Sequence, residues 1–161
     1  MQIEIRQITG QDNQKLAGII RNTLLEFNAA KPGTVYYDES TDHLSELFKQ
    51  QNSVYYVALI DGELVGGAGL FPTSGLPTDT IELVKMYLLP KARGLGLGKK
   101  LIMKTLETAV ALGYSRVYLE TMAELSAAVQ TYTHLGFISL SEPLGNSGHH
   151  SCEIWMIKQL D

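Results

Sequence analysis

A short glycine-rich segment between a predicted strand and a predicted helix constrains this chain more than any other feature. The segment PKARGLGLGKK covers residues 90–100 and follows an apolar strand predicted over Thr80–Leu89. The helix predicted from there to about Leu112 begins with unpaired backbone N–H groups, and its dipole favours an anion at that end. Glycines let the backbone approach a phosphate closely, and two lysines follow at once. We therefore predict that this turn binds a pyrophosphate.

Two other glycine-rich phosphate-binding patterns do not fit the segment. A dinucleotide fingerprint needs a third glycine after two intervening residues, but Lys99 and Leu101 occupy the candidate positions. A P-loop ends in Gly-Lys-Ser/Thr, whereas the chain reads Gly98-Lys99-Lys100. A nucleotide-binding protein of another fold is thus disfavoured, and a plain connection before a helix is the structural alternative.

Length and charge favour one soluble domain spanning residues 1–161. Thirteen basic and seventeen acidic residues give a net charge of −4, which offers no basic footprint for nucleic acid or a membrane surface. The chain starts MQIEIRQIT, unlike a signal peptide, and no apolar run nears the roughly 20 residues that span a bilayer. We therefore expect a cytoplasmic protein. The single cysteine, Cys152, excludes an internal disulfide, and its apolar neighbours favour a packing role.

The pattern of apolar and turn residues along the chain predicts a mixed α/β order of strands and helices. Only the middle of the chain resembles a β-α-β crossover unit. Asp61-Gly62 between two apolar runs predicts a tight hairpin, and Thr9 with Asp12 resembles a helix N-cap. The other predicted elements are a strand around 3–8, a helix with its buried face over 16–27, a loop over 29–41, a short helix near 42–50, strands over 54–60, 64–70 and 116–121, a helix over 125–135, and strands near 137 and over 152–158.

Two segments carry a family resemblance. ELVKMYLLPKARGLGLGKKL resembles the central motif of the GNAT superfamily of N-acetyltransferases, in which Arg or Gln, two residues, Gly, one residue and Gly or Ala follow each other. Arg93, Gly96 and Gly98 occupy those places. AAVQTYTHLGF, residues 127–137, is similar to the second motif, which ends in Tyr, three residues and Gly-Phe. The resemblance covers residues 80–137 and implies the GNAT fold, a mostly antiparallel sheet of six to seven strands with about four helices, splayed at the cofactor-binding strand.

The resemblance also implies acetyl-coenzyme A (acetyl-CoA) as co-substrate. Met86 and Leu88 would make main-chain contacts to the pantetheine arm, and the Leu88 N–H would face the thioester carbonyl, where it stabilises the developing oxyanion. Six residues would surround the pyrophosphate, mostly through backbone amides: Arg93, Gly94, Gly96, Leu97, Gly98 and Lys99. Many members carry an asparagine that binds the cofactor arm where this chain has Leu125. Either Thr121 or Glu124 replaces it, or this contact is missing.

Three residues are candidates for proton transfer. By resemblance, Tyr132 would donate a proton to the departing thiolate, although its place on an apolar helical face also suits a core residue. Glu82 matches the position of a glutamate base in some histone-acetylating members, while a solvated edge carboxylate is the structural alternative. A straight strand would separate Glu82 from Leu88 by roughly 20 Å, so this role requires a strong bulge, a long acceptor channel or a chain of waters. Glu120 on the next strand is the rival base.

The sequence gives little information about the substrate that accepts the acetyl group. The loop 36–39 carries tyrosines and acids that suit a cationic amine, and His149 and His150 lie in a loop that we expect to be solvated, with acceptor binding as the second reading. The two histidines are too isolated in the sequence for their spacing to predict a metal site. We expect acetyl transfer to a primary amine of a small molecule or peptide in a ternary complex. The alternative is a non-catalytic acyl-CoA sensor, and the oligomeric state stays open between monomer and homodimer.

Overall fold

The computed structural model describes all 161 residues, and a single seven-stranded sheet runs through it. The strands lie in the order β1-β2-β3-β4-β5-β7-β6, and every neighbouring pair is antiparallel except β4 and β5. Their bounds are Ile3–Gln7 (β1), Val54–Ile60 (β2), Glu63–Phe71 (β3), Thr80–Leu88 (β4), Arg116–Thr121 (β5), Ile138–Leu140 (β6) and Ile154–Gln159 (β7). The mostly antiparallel sheet predicted above is confirmed.

Four α-helices cover the two faces of the sheet. Alternate residues of β2 belong to two separate apolar clusters, which places those clusters on opposite faces. One cluster contains residues of α1 and α2, and the other contains residues of α3 and α4. No helix combines the length and the apolar character needed to cross a membrane. The helices span Asn13–Glu26 (α1), Leu44–Leu47 (α2), Leu97–Ala111 (α3) and Ser126–His134 (α4).

The strongest local signals produce the predicted turns. Asp61 and Gly62 have φ angles of 49° and 81°, the left-handed values that a two-residue hairpin requires, and they join β2 directly to β3. The Asp12 carboxylate accepts a hydrogen bond from the Thr9 N–H at 2.8 Å and starts the first helical segment. The helix predicted near 42–50 is shorter than expected, because a 3₁₀ segment over Glu39–His43 takes its first turn.

Strands β4 and β5 diverge soon after they begin. Parallel pairing joins only Thr80–Glu82 to Arg116–Tyr118, although β4 continues to Leu88 and β5 to Thr121. The unpaired parts enclose an open wedge, called the cleft from here on. Glu82 is the last paired residue of β4 and therefore lies at the narrow end of the cleft. The splay predicted at this strand is confirmed.

A bulge in β4 redirects the backbone beside the cleft. Between residues 84 and 87, two residues of β4 lie opposite one residue of β3, and Lys85 has a left-handed φ of 55°. The Tyr55 hydroxyl donates to the Lys85 carbonyl oxygen at 2.7 Å. The Tyr55 ring reaches it across β3 because Gly67 and Gly69 lack side chains, and a Cβ there would come within 2.5 and 2.6 Å of the ring. A left-handed non-glycine residue costs of order 1–3 kcal/mol, and this contact helps to hold it.

Candidate active site

The glycine turn presents a row of free hydrogen-bond donors. The six consecutive backbone N–H groups from Gly94 to Lys99 have no hydrogen-bond partner in the protein. The helical ladder begins only with Lys100, whose N–H donates to the Gly96 carbonyl oxygen at 3.1 Å. Gly94 and Gly96 have φ angles of 75° and 76°, which non-glycine residues rarely adopt. A group with several anionic oxygens fits this row of donors, and a pyrophosphate is such a group.

Helix α3 starts directly against β4. A Cβ on Gly98 would lie 2.9 Å from the Met86 Cε, so the glycine allows the close approach of helix and strand. The buried Leu97 side chain anchors the first turn in the core. Three lysines of α3, Lys99, Lys100 and Lys104, line a shallow cavity next to Gly96. The free N–H groups therefore lie in a positive electrostatic field, which suits an anion further.

Arg93 contributes its side chain to the protein itself. Its guanidinium donates to the Leu88 carbonyl oxygen at 2.9 and 3.1 Å and forms a bidentate pair with Glu26 on α1 at 2.7 and 3.0 Å. It also lies over the Phe27 ring, 5.0 Å from the centroid. The Arg93 N–H donates to the Pro90 carbonyl oxygen. Arg93 thus ties the end of β4 to α1, and its direct contact with a pyrophosphate stays a prediction.

The main chain of β4 offers further donors to the cleft. The Leu89 N–H donates to the Val65 carbonyl oxygen at 2.8 Å, on the β3 side. Because successive residues of a strand alternate, the Leu88 N–H points to the opposite side, toward the cleft. The predicted main-chain contact of Leu88 is therefore geometrically available. Met86 is one of the two bulged residues of β4, where this alternation does not hold, and its main-chain contact stays a prediction.

Glu82 is a buried carboxylic acid at the narrow end of the cleft, with 3% of its surface exposed. Its Oε1 accepts a hydrogen bond from the Thr73 hydroxyl at 2.6 Å, and its Oε2 has no partner in the protein. Burial raises the pKa of Glu82 to about 7, and the nearby Glu120 adds to the increase while the Thr73 hydrogen bond opposes it. The solvated-edge alternative is thereby wrong. A carboxylate with such a pKa is suited to accept protons near neutral pH.

Glu120 occupies the same cavity but is hydrogen-bonded through both oxygens. The Tyr118 hydroxyl donates to its Oε2 at 2.7 Å, and the Ser147 hydroxyl donates to its Oε1. The Leu144 N–H in turn donates to the Tyr118 hydroxyl oxygen at 3.1 Å. Glu120 therefore anchors the 144–147 loop, whereas Glu82 keeps a free oxygen. This difference favours Glu82 over Glu120 as the base.

Two loops that are distant in sequence meet beside the cavity. His149 Nε2 and Asp38 Oδ2 are 2.7 Å apart, and the His150 ring packs against Gly33. The expectation of a solvated loop is wrong for His149, whose side chain is 17% exposed and lines the cavity, but it holds for the exposed His150. The Asp38–His149 contact links residues 111 positions apart, so sequence reasoning had no local signal for it.

Tyr132 lies in the core cluster on the α3 side of the sheet, with its ring 5.8 Å from that of Phe137. Its hydroxyl has no hydrogen-bond partner in the protein, and burial raises the pKa of Tyr132. Tyr87, which sequence reasoning missed, lines the cavity, and burial raises its pKa, with further increases from Cys152 and Tyr132. Tyr132 is thus a core residue that does not itself line the cavity, and its catalytic role stays a prediction.

The remaining predicted positions are distributed around the same cavity. Leu125 and Thr121 line it, while the Glu124 carboxylate forms an ion pair with Lys31 outside it. Cys152 also lines the cavity, and burial raises the pKa of its thiol to about 12. The thiol is therefore protonated at neutral pH, as the predicted packing role requires. No group of three or more His, Cys, Asp or Glu side chains is placed to hold a metal ion.

Comparisons with known proteins agree with this architecture. Residues 16–137 match the Acetyltransferase (GNAT) family. The chain is 41% identical over 157 residues to the uncharacterized N-acetyltransferase YjgM of Escherichia coli K12, which covers 97% of this chain and 94% of that protein. A GNAT-family acetyltransferase from Staphylococcus aureus Mu50 has a TM-score of 0.88 at 20% identity, over 99% and 100% of the two chains. The PaiA N-acetyltransferase of Thermoplasma acidophilum, solved with coenzyme A, has a TM-score of 0.77 at 21% identity, over 99% of each chain.

The chain therefore belongs to the GNAT family of acetyltransferases. It is an acetyl-CoA-dependent N-acetyltransferase, and acetyl-CoA is its co-substrate.

Proposed function

We propose that this enzyme transfers the acetyl group to a primary amine of a small molecule or peptide, by direct attack within a ternary complex. The observation that carries the proposal is the cleft between β4 and β5. It has a buried carboxyl group of near-neutral pKa at its narrow end and a free Leu88 N–H on its wall. A base and an oxyanion donor are the two groups that direct attack of an amine on a thioester needs.

In this proposal Glu82 removes the proton from the acceptor ammonium, directly or through one water. Only a neutral amine is a nucleophile, so the proton must leave before or during the attack. The free Oε2 of Glu82 can take it. The bulge at Lys85 makes β4 depart from a straight strand between Glu82 and Leu88, which supports one of the three ways in which this role is possible. Glu82 would be mostly ionised above pH 7 and therefore active as a base there.

The donor is held by the main chain. Acetyl-CoA supplies the thioester, and the free N–H groups of Gly94–Lys99 would bind its pyrophosphate. Leu88 would direct its N–H toward the thioester carbonyl oxygen. The Arg93 guanidinium holds the Leu88 carbonyl oxygen and so helps to keep the end of β4 in place.

The experiment that tests this function follows release of free thiol from acetyl-CoA with and without a panel of polyamines, aminoglycosides, amino acids and peptides, and identifies products by mass. We expect thiol release to depend on an amine and to match the amount of N-acetylated product. Intersecting initial-rate plots would support a ternary complex, whereas parallel plots would contradict it. Tight acetyl-CoA binding without transfer to any amine would instead indicate a sensor.

Tyr132→Phe should lower kcat by about ten- to a thousandfold while the affinity for coenzyme A stays nearly constant, because only a proton donor is lost. The Tyr132 hydroxyl makes no hydrogen bond in the protein, so phenylalanine should preserve the contact with Phe137 and the unfolding temperature. Steady-state kinetics and calorimetric binding check this. Tyr87→Phe is the matched control. An unchanged rate and pH profile in Tyr132→Phe, with the loss found in Tyr87→Phe, would move the acid role to Tyr87.

A further inference from the structure

Lys85 is a buried cation whose one ionic partner, Asp38, is too far away for a hydrogen bond. Its side chain is 6% exposed, and its ammonium makes no hydrogen bond in the protein. The nearest carboxylate oxygen, Asp38 Oδ2, lies 3.8 Å away and already contacts His149 Nε2 at 2.7 Å. An ammonium carries three donors, and leaving all of them unpaired in a buried position is costly.

The Lys85 nitrogen nevertheless reaches the cavity. The only side-chain nitrogen or oxygen that is both sealed from solvent and without a partner is Arg116 Nε. The Lys85 ammonium is therefore not sealed, and Lys85 lines the same cavity as Glu82. Its left-handed backbone, stabilised by the Tyr55 hydroxyl, gives a conformation that a regular strand would not adopt. Such strain tends to persist at functional sites.

Among the charged side chains that line the cavity, Glu82 keeps a free acceptor oxygen and Lys85 keeps free donors. Asp38 contacts His149, and both oxygens of Glu120 accept hydroxyl hydrogen bonds. Glu82 Oε2 is free to receive an ammonium proton, and the Lys85 ammonium is free to bind an anion. Burial lowers the pKa of Lys85, an effect that an anionic ligand would offset.

We propose that the acceptor carries a carboxylate beside its amine, as an amino acid does, and that the Lys85 ammonium binds this carboxylate. This inference rests on the proposed acetyl transfer and restricts the acceptors to amines that also carry a carboxylate. At its own position Lys85 favours a carboxylate over a second ammonium group, because like charges in contact are unfavourable.

The test uses matched acceptors: α-amino acids, their α-amides and the corresponding amines without the carboxyl group. We expect kcat/KM to favour the acids by about ten- to a hundredfold, the usual effect of a buried charge-assisted hydrogen bond. In Lys85→Met the ratio of kcat/KM for the acids to kcat/KM for the amides and amines should fall to near one, mostly through a higher KM for the acids. Lys49→Met, at a side chain that is 72% exposed, is the control and should keep the preference.

Each outcome decides the inference. Equal or better use of amides and simple amines by the unaltered enzyme would overturn it while leaving acetyl transfer intact, and that comparison needs no variant to fold. A preference for acids that persists in Lys85→Met would also overturn it. Absence of transfer to all three kinds of acceptor, with transfer to a polyamine, an aminoglycoside or a peptide, would overturn the inference alone. Absence of transfer to every amine of the wider panel would overturn the proposed function as well.

Discussion

Replacing Glu82 by glutamine should lower kcat/KM by about 10²- to 10⁴-fold near neutral pH, the usual contribution of a positioned general base. Glutamine keeps an oxygen that can accept the Thr73 hydrogen bond, so the local packing should survive. In the unaltered enzyme the rate should rise with pH through about 7, because burial raises the pKa of Glu82 to that value and only the ionised form accepts a proton. Rates measured across the pH range provide the check.

The pH profile of the variant distinguishes a base from a merely structural residue. Without Glu82 the reaction depends on acceptor that is already neutral, so the loss should be largest at low pH and partly rescued at high pH. Glu120→Gln is the companion variant, since Glu120 lies in the same cavity with both oxygens hydrogen-bonded. An unaltered pH profile in Glu82→Gln would contradict the role of Glu82 as the general base. Loss of the rise in rate near pH 7 in Glu120→Gln would assign that role to Glu120 instead.

Gly96→Asp should weaken coenzyme A binding about a hundredfold or more, because it places a carboxylate among the free N–H groups of the turn, where like charges repel the pyrophosphate. A Cβ at this position would meet no atom within 4 Å, so the side chain has room. The left-handed φ of 76° should cost a non-glycine residue about 1–2 kcal/mol, so the variant should fold with a somewhat lower unfolding temperature. Calorimetric titration with coenzyme A measures the effect.

Gly96→Asn separates charge from shape in this experiment. Asparagine has nearly the same size and also tolerates the left-handed φ of 76°, but it carries no charge. We expect its affinity for coenzyme A to lie much closer to that of the unaltered protein. Gly98→Asp should also lose binding, with an added cost against Met86. Full-strength binding by a folded Gly96→Asp or Gly98→Asp would contradict the assignment of the pyrophosphate to this turn.

Features that depend on neighbouring residues were predictable. The left-handed values of Asp61 and Gly62 follow from the turn that two residues must make between antiparallel strands. The strand, glycine turn and helix around Gly96 follow from apolar periodicity and from glycine's conformational freedom. The parallel pairing of β4 with β5 follows from the helix that connects them, because parallel strands need a crossover.

Parts of the candidate site were predictable only as residue types. A glutamate on an apolar strand is expected to have a raised pKa. The size of the increase for Glu82 depends on its burial and on Glu120, which the fold brings near. Lys85 carried a comparable signal as a lone lysine in the strand TIELVKMYL, yet sequence reasoning passed over it. The Arg93 side chain was placed near the pyrophosphate by resemblance, whereas its contacts with Glu26 and Leu88 come from the packing of α1.

The order of the elements, the sharp turns and the glycine turn that starts α3 follow from the sequence, because they depend on interactions between residues close along the chain. The bulge at Lys85 depends instead on the fold, since a tyrosine of β2 must reach across two glycines of β3. The contact between Asp38 and His149, 111 positions apart, depends on the fold in the same way. Such contacts depend on how strands and loops pack in three dimensions, and no local pattern of residues encodes them.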